Sequence, residues 1–243
     1  MSAAPHDQRP ARTTRRPSLP DPSQIPEAVE RAVEAVKPKL RGWLHTVMAP
    51  ITLFGGLTLL VITPTLGGRA AAAVYLLASL ALFGHSALYH RGHWTDRVGA
   101  VFRRVDHANI FVFIAGTYTP LTVQLLEGRS RVVLLTLIWS AALLGVAFRV
   151  LWLGAPRWLY TLLYVAMGWA AVGWMGQFWT AGGPLVVALI VAGGLVYTVG
   201  ALVYARKRPD PWPTWFGFHE IFHSCTVVAA ACHFTAIVLA TVR

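Results

Sequence analysis

Seven apolar blocks of about 20 residues each, separated by short polar connectors, fill the chain from residue 45 almost to its end, and this alternation constrains the fold more than any other feature. Crossing ~30 Å of hydrocarbon takes about 20 residues of helix, and away from water only a helix or a closed barrel satisfies its own backbone polar groups. The blocks fall at residues 45–65, 70–91, 106–126, 132–152, 158–179, 184–204 and 218–241. The predicted fold class is therefore an all-α integral membrane protein, a seven-transmembrane helix bundle. Thr180, Ala181, Gly182, Gly183 and Pro184 separate the fifth and sixth blocks as a tight hairpin. Composition agrees: charged residues make up 13% and hydrophobic residues 56% of the chain, whereas a soluble domain carries about 25% charged residues. So much apolar surface needs lipid to face.

The formal net charge of +11 would suit a nucleic-acid partner if it formed a stripe, but Lys and Arg come in short clusters between the apolar blocks. Topology explains them better, and no nucleic acid is expected. Counted on alternate sides, 17 of the basic residues lie with the N-terminal segment and 4, namely Arg69, Arg129, Arg131 and Arg243, lie on the other side. The excess marks the cytoplasmic face, so the N-terminus is inside and, after seven spans, the C-terminus is outside.

Three regions follow. Residues 1–25, rich in Pro and Arg, lack the apolar content to fold and read as a disordered basic tail with no apolar core of a cleavable signal. Residues 26–40 set Ala28, Val29, Ala32, Val33 and Val36 opposite Glu27, Glu30, Arg31, Glu34 and Lys37. That pattern suits an amphipathic juxtamembrane helix, and a solvated linker helix equally. Residues 41–243 form the transmembrane domain. Trp43, Trp94, Trp158, Trp179, Trp212 and Trp215, at block ends, read as interfacial anchors and not as ligand-stacking groups. Cys225 and Cys232 form neither a CxxC pair nor a disulfide framework and read as small buried residues.

Ionisable side chains in such segments are costly and call for a partner or a task. His219 and His223 stand one turn apart at the start of the seventh block, so both imidazoles project from one face and can grip one metal ion. His90 closes the second block with Ser86 one turn deeper on the same face, and Asp106 opens the third after a short basic loop. The topology brings His90, Asp106, His219 and His223 to the cytoplasmic face. Three neutral imidazoles plus a water make the open tetrahedral site of catalytic zinc or a similar divalent ion.

His219 to His223 also spells HExxH, the zinc-protease pattern in which the Glu is general base. No Asp or Glu follows His223, and His233 lies roughly 15 Å further along the same helix. A third ligand must therefore come from upstream, where His90 stands. Glu220 is left as a residue supporting the site or the surface, with general base as its less favoured role. His85 faces away from His90 and reads as structural; His107 either hydrogen-bonds at the start of the third helix or competes as a ligand. His233 reads as a helix-packing group or, second, as part of a cavity wall. Tyr118 and Pro120 suggest a local kink.

Over residues 40–243 the chain resembles the progestin and adipoQ receptor family, in its bacterial haemolysin III-like branch. The resemblance rests on Ser86-Ala87-Leu88-Tyr89-His90, on Arg104 through Ile110 around Asp106, and on His219 through His223 followed by Val227 through Phe234. It implies seven helices with the N-terminus inside, in a bacterial plasma membrane, and Zn2+ near the cytoplasmic face on His90, His219 and His223. It also implies that Asp106 and Ser86 hold or polarise the water at the zinc. In the family's receptors the position matching Glu220 is commonly not acidic. A wider kinship with alkaline ceramidases points to hydrolysis of a lipid amide or ester, with membrane lipid as substrate and Asp106 accepting the water's proton. Two other readings stand beside it: a non-catalytic membrane sensor or stress protein in which zinc is structural, and a pore-former. The pore-former is disfavoured because no polar stripe runs through the helices.

Overall fold

A computed structural model describes residues 38–152 and 154–243. The basic tail and most of the 26–40 segment lie outside the described residues; residues 38–42 form turns. Among the described residues the secondary structure is almost wholly helical: α1 (Trp43–Ile62), α2 (Leu66–Arg91), α3 (Asp96–Leu125), α4 (Gly128–Leu151), α5 (Arg157–Gly168), a 3-10 turn (Ala170–Trp174), α6 (Met175–Arg206) and α7 (Phe218–Thr241). Among the described residues six helical stretches are long and apolar enough to cross a membrane, and one of them runs from Arg157 to Arg206.

That 50-residue stretch is not a straight rod. Gly183 adopts φ 75° and ψ 176°, a conformation open to glycine and strained for any side chain, immediately before Pro184. Trp169 Nε1 donates to Thr198 Oγ1 at 3.0 Å. Along a continuous helix those residues would be roughly 43 Å apart. The chain therefore reverses at Gly183 into two antiparallel arms, where the sequence places its turn. The first arm is itself broken, and the Tyr118 hydroxyl bridges the break by donating to the Gly168 carbonyl at 2.7 Å and accepting from the Ala171 N–H at 3.0 Å. Backbone groups freed from a helix in an apolar setting need such partners.

One expectation is corrected at α3. The short basic loop expected before Asp106 is helical instead: the helix begins at Asp96, with Thr95 at its N-cap position and Asp96 in its first turn, so Asp106 lies almost three turns inside it. The charged residues of 96–105 mask helical continuity that hydropathy alone does not reveal.

Sequence neighbours pack side by side, and α7 closes the bundle by touching α1 and α3 as well as α6. Two clusters form the core: one joins Leu59, Phe83, Phe113, Phe178 and Ile237, the other Phe111, Ile138, Tyr160, Tyr164 and Tyr204. Helices approach closely where one side is small, as where Gly200 faces Cys225. The six tryptophans at block ends are all exposed. Lys39 lies over Trp215 and Arg91 over Trp43, each at 4.2 Å, which ties the chain before α1 to the α6–α7 loop and to the end of α2.

Candidate metal centre

The end of the bundle where α2 finishes and α7 begins collects the titratable residues. His90 sits one residue before the end of α2, and His219 and His223 occupy successive turns at the start of α7. One ligand nitrogen from each lies within 4.8 Å of the others, so the three could hold a metal ion. The Nε2 atoms of His90 and His219 are 3.3 Å apart. The ring planes of the three pairs cross at 77°, 63° and 49°, so each imidazole can aim its own lone pair at one point.

Asp106 reaches the same point from α3, with Oδ2 3.7 Å from His90 Nε2. The Ser86 hydroxyl, one turn below His90, donates to the Asp106 carboxylate and fixes its direction. All five residues singled out in the sequence are thus brought together.

The start of α7 is anchored by hydrogen bonds to its free N–H groups. Asp210 Oδ1 accepts from Phe218 N at 2.9 Å, and Glu220 Oε2 accepts from Gly217 N at 2.9 Å. The other oxygen of Glu220 pairs with Arg41 Nε, and the residue is buried. With both oxygens engaged away from the histidines, Glu220 braces the helix start. Gly42 completes the packing: its φ is +80°, and a Cβ there would stand 2.8 Å from the Cβ of His90. The chain before α1 can pass so close to His90 only as glycine.

Three other histidines, His85, His107 and His233, hydrogen-bond groups outside the cluster. His85 Nε2 meets the Phe102 carbonyl at 2.9 Å. His107 Nδ1 donates to the Arg103 carbonyl at 2.7 Å, which leaves Nε2 to accept from the Tyr204 hydroxyl at 3.1 Å, so neither nitrogen faces the cluster. His233 Nε2 contacts the Ile190 carbonyl at 3.1 Å across the α6–α7 packing and also borders the cavity described next.

Sequence reasoning passed over His45. It stacks on His223 with ring centroids 3.8 Å apart and 2° between the planes, and it is buried. An ionisable residue at the very start of an apolar block was the available signal.

From the histidine cluster an apolar-walled cavity of ≈ 110 Å³ enters the bundle. Ser86, Asp106 and His219 lie at its head, Tyr118 and Trp169 far down it. Asp106 and Tyr118 are separated along α3 by about 18 Å. A second space of ≈ 30 Å³ shares Tyr118, Trp169 and His233 and carries the opening on towards Phe178.

Residues 33–234 match a family model described as haemolysin-III related. Over 200 residues the chain is 30% identical to "Hemolysin-3" of Bacillus cereus, an alignment covering 79% of this chain and 90% of that protein. It is 28% identical over 170 residues to "Hemolysin-3 homolog" of Bacillus subtilis, covering 70% and 76% of the two chains. The "Adiponectin receptor protein" of Drosophila melanogaster is 23% identical over 185 residues, covering 67% of this chain and 40% of that one.

Proposed function

The chain belongs to the haemolysin-III related family, as a multi-pass integral protein of the plasma membrane, and on that premise we propose that it is a zinc-dependent hydrolase of a lipid amide or ester. The observation that carries this reading is the convergence of His90, His219, His223 and Asp106 at the head of an apolar cavity.

The donor set fits zinc. With Zn–N bonds of about 2.0–2.1 Å, two nitrogens at corners of a tetrahedron stand about 3.4 Å apart. The 3.3 Å between the Nε2 atoms of His90 and His219 is close to that edge. Three imidazoles with no fourth imidazole or thiolate ligand beside them among the described residues leave a position open, the pattern of catalytic sites. Zinc held there supplies Lewis acidity, polarising a carbonyl and acidifying a water.

The chain's own residues do the rest. Asp106 takes the proton from the attacking water at Oδ2, and the Ser86 hydroxyl keeps that carboxylate aimed at the cluster. The water oxygen bonds to the carbonyl carbon, the C–N or C–O bond breaks, and the proton on Asp106 passes to the leaving amine or alcohol. The apolar walls take the acyl tail and exclude bulk water from the reacting centre. Helix α5 contributes Thr161 and Val165 to these walls and α6 contributes Thr198 and Ala201, a flank through which a lipid enters from the bilayer.

The same proposal carries a topology: seven spans, because the two arms around Gly183 cross separately, with the N-terminus and the histidine cluster on the cytoplasmic side. The reversal at Gly183 and the 17-to-4 division of Lys and Arg support it.

The test is fatty-acid release from a panel of lipid amides and esters by purified protein and by Asp106→Ala. Release by the wild type, lost in the variant with zinc retained, is the expected result. A zinc-loaded wild type that releases nothing from any member would overturn the hydrolase reading in favour of structural zinc.

A further inference from the structure

His45 stands at the same end of the bundle as the three clustered histidines, yet it plays no part in holding the ion. Its ring is 3% exposed, and neither Nδ1 nor Nε2 meets a hydrogen-bond partner among the described residues. Buried polar atoms are almost always paired, so an imidazole with neither nitrogen paired points to a partner that the described residues do not supply: a water, an ion or a polar group of a ligand. The ring is firmly seated, parallel to His223 at 3.8 Å and edge-on to Phe83 at 5.0 Å.

That seating excludes a fourth ligand. A metal ion lies in the plane of each imidazole that binds it, along the nitrogen lone pair. The planes of His45 and His223 differ by 2° and are stacked, so they share no point at which one ion could sit. The planes of His90, His219 and His223 cross at 49° to 77° and do share one.

What His45 does border is the cavity whose head holds Ser86, Asp106 and His219. Two more cavity-lining side chains carry buried atoms without a hydrogen-bond partner, the Thr161 hydroxyl and the Tyr197 hydroxyl. A plain hydrocarbon occupant would leave every one of these atoms unpaired. We propose that His45 is a binding residue that hydrogen-bonds the polar group of the lipid occupying this cavity and so holds it beside the three histidines. A neutral imidazole offers one N–H donor and one acceptor nitrogen. The two nitrogens point to opposite sides of the ring, so one polar group of the occupant meets one of them, as an acceptor for the N–H or a donor to the other nitrogen, and a hydroxyl or an amide can do either. This inference rests on the cavity being the lipid site proposed above.

The test uses the full chain in lipid nanodiscs with two substitutions. His45→Phe keeps a flat ring on His223 and removes both nitrogens; His45→Asn loses the ring and restores a donor and an acceptor. The probe is a dodecanoyl amide of an amino alcohol bearing a fluorophore, with a dodecyl fluorophore lacking the amide and hydroxyl as control. Zinc per chain, thermal stability, and affinity for both probes are measured. The expected result is wild-type zinc content in His45→Phe, affinity for the amide weakened about 10-fold, unchanged affinity for the alkyl control, and partial recovery in His45→Asn. Equal amide affinity in wild type and His45→Phe would reduce His45 to packing and overturn the proposal, as would loss of zinc in a folded His45→Phe. Should the wild type bind neither probe, this inference and the lipid reading both fail. Should it bind the amide without hydrolysing it, only the hydrolase reading fails.

Discussion

The Nε2 atoms of His90 and His219, residues 129 positions apart in sequence, stand 3.3 Å apart. Two imidazole nitrogens so close, with His223 completing the group, make a place where a metal ion could be held.

Asp106→Asn removes the proton acceptor while leaving the three imidazoles in place. Lipid hydrolysis should fall by about 10²- to 10⁴-fold with zinc content unchanged. Initial rates on the best substrate of the panel, together with metal analysis, give the answer. A rate within a few-fold of wild type would remove Asp106 from the proposed mechanism.

Glu220→Gln separates the HExxH analogy from the geometry. Breaking the buried Arg41–Glu220 pair should destabilise the protein by about 3 kcal/mol, seen as a lower melting temperature in detergent, while the folded fraction keeps zinc and turns over at near the wild-type rate. A variant as stable as wild type that has lost turnover would make Glu220 the general base instead.

The match between sequence and structure is uneven in an instructive way. Block boundaries for α1, α2, α4 and α7 fall within a few residues of the helices, because the apolar requirement of a membrane span is written residue by residue. Gly183 and Pro184 mark the reversal for an equally local reason, since a backbone at φ 75° admits little but glycine. The start of α3 was misplaced because hydropathy does not detect a helix that continues past the lipid as a charged amphipathic segment. His90, His219 and His223 were legible through motif spacing and charge-derived topology, whereas His45 showed only as an ionisable residue at the start of an apolar block. Its importance lies in a stack across helices and in two bare nitrogens, and neither leaves a trace in a single chain.

Gly42→Ala tests how tightly the segment before α1 is fitted to the cluster. A Cβ 2.8 Å from His90 Cβ, on a backbone at φ +80°, forces His90 to shift. Zinc affinity should drop roughly 10- to 100-fold, as when a supporting contact of a metal ligand is lost. Competition with a chelator measures it; unchanged affinity would mean the chain yields there instead of His90.

Topology has its own readout. An alkaline phosphatase fused after Arg243 should be active, and a green fluorescent protein at the same place dark, because the C-terminus is proposed to face outward. The opposite pattern would mean an even number of spans or an inverted bundle, and either contradicts the proposed topology.

The most direct test of the whole account is the zinc content of the purified chain beside that of His90→Ala, His219→Ala and His223→Ala, each shown to be folded. The account predicts one zinc per wild-type chain and its loss in every one of the three variants. A wild type without bound metal, or a folded His90→Ala that keeps zinc as tightly as wild type, would contradict it.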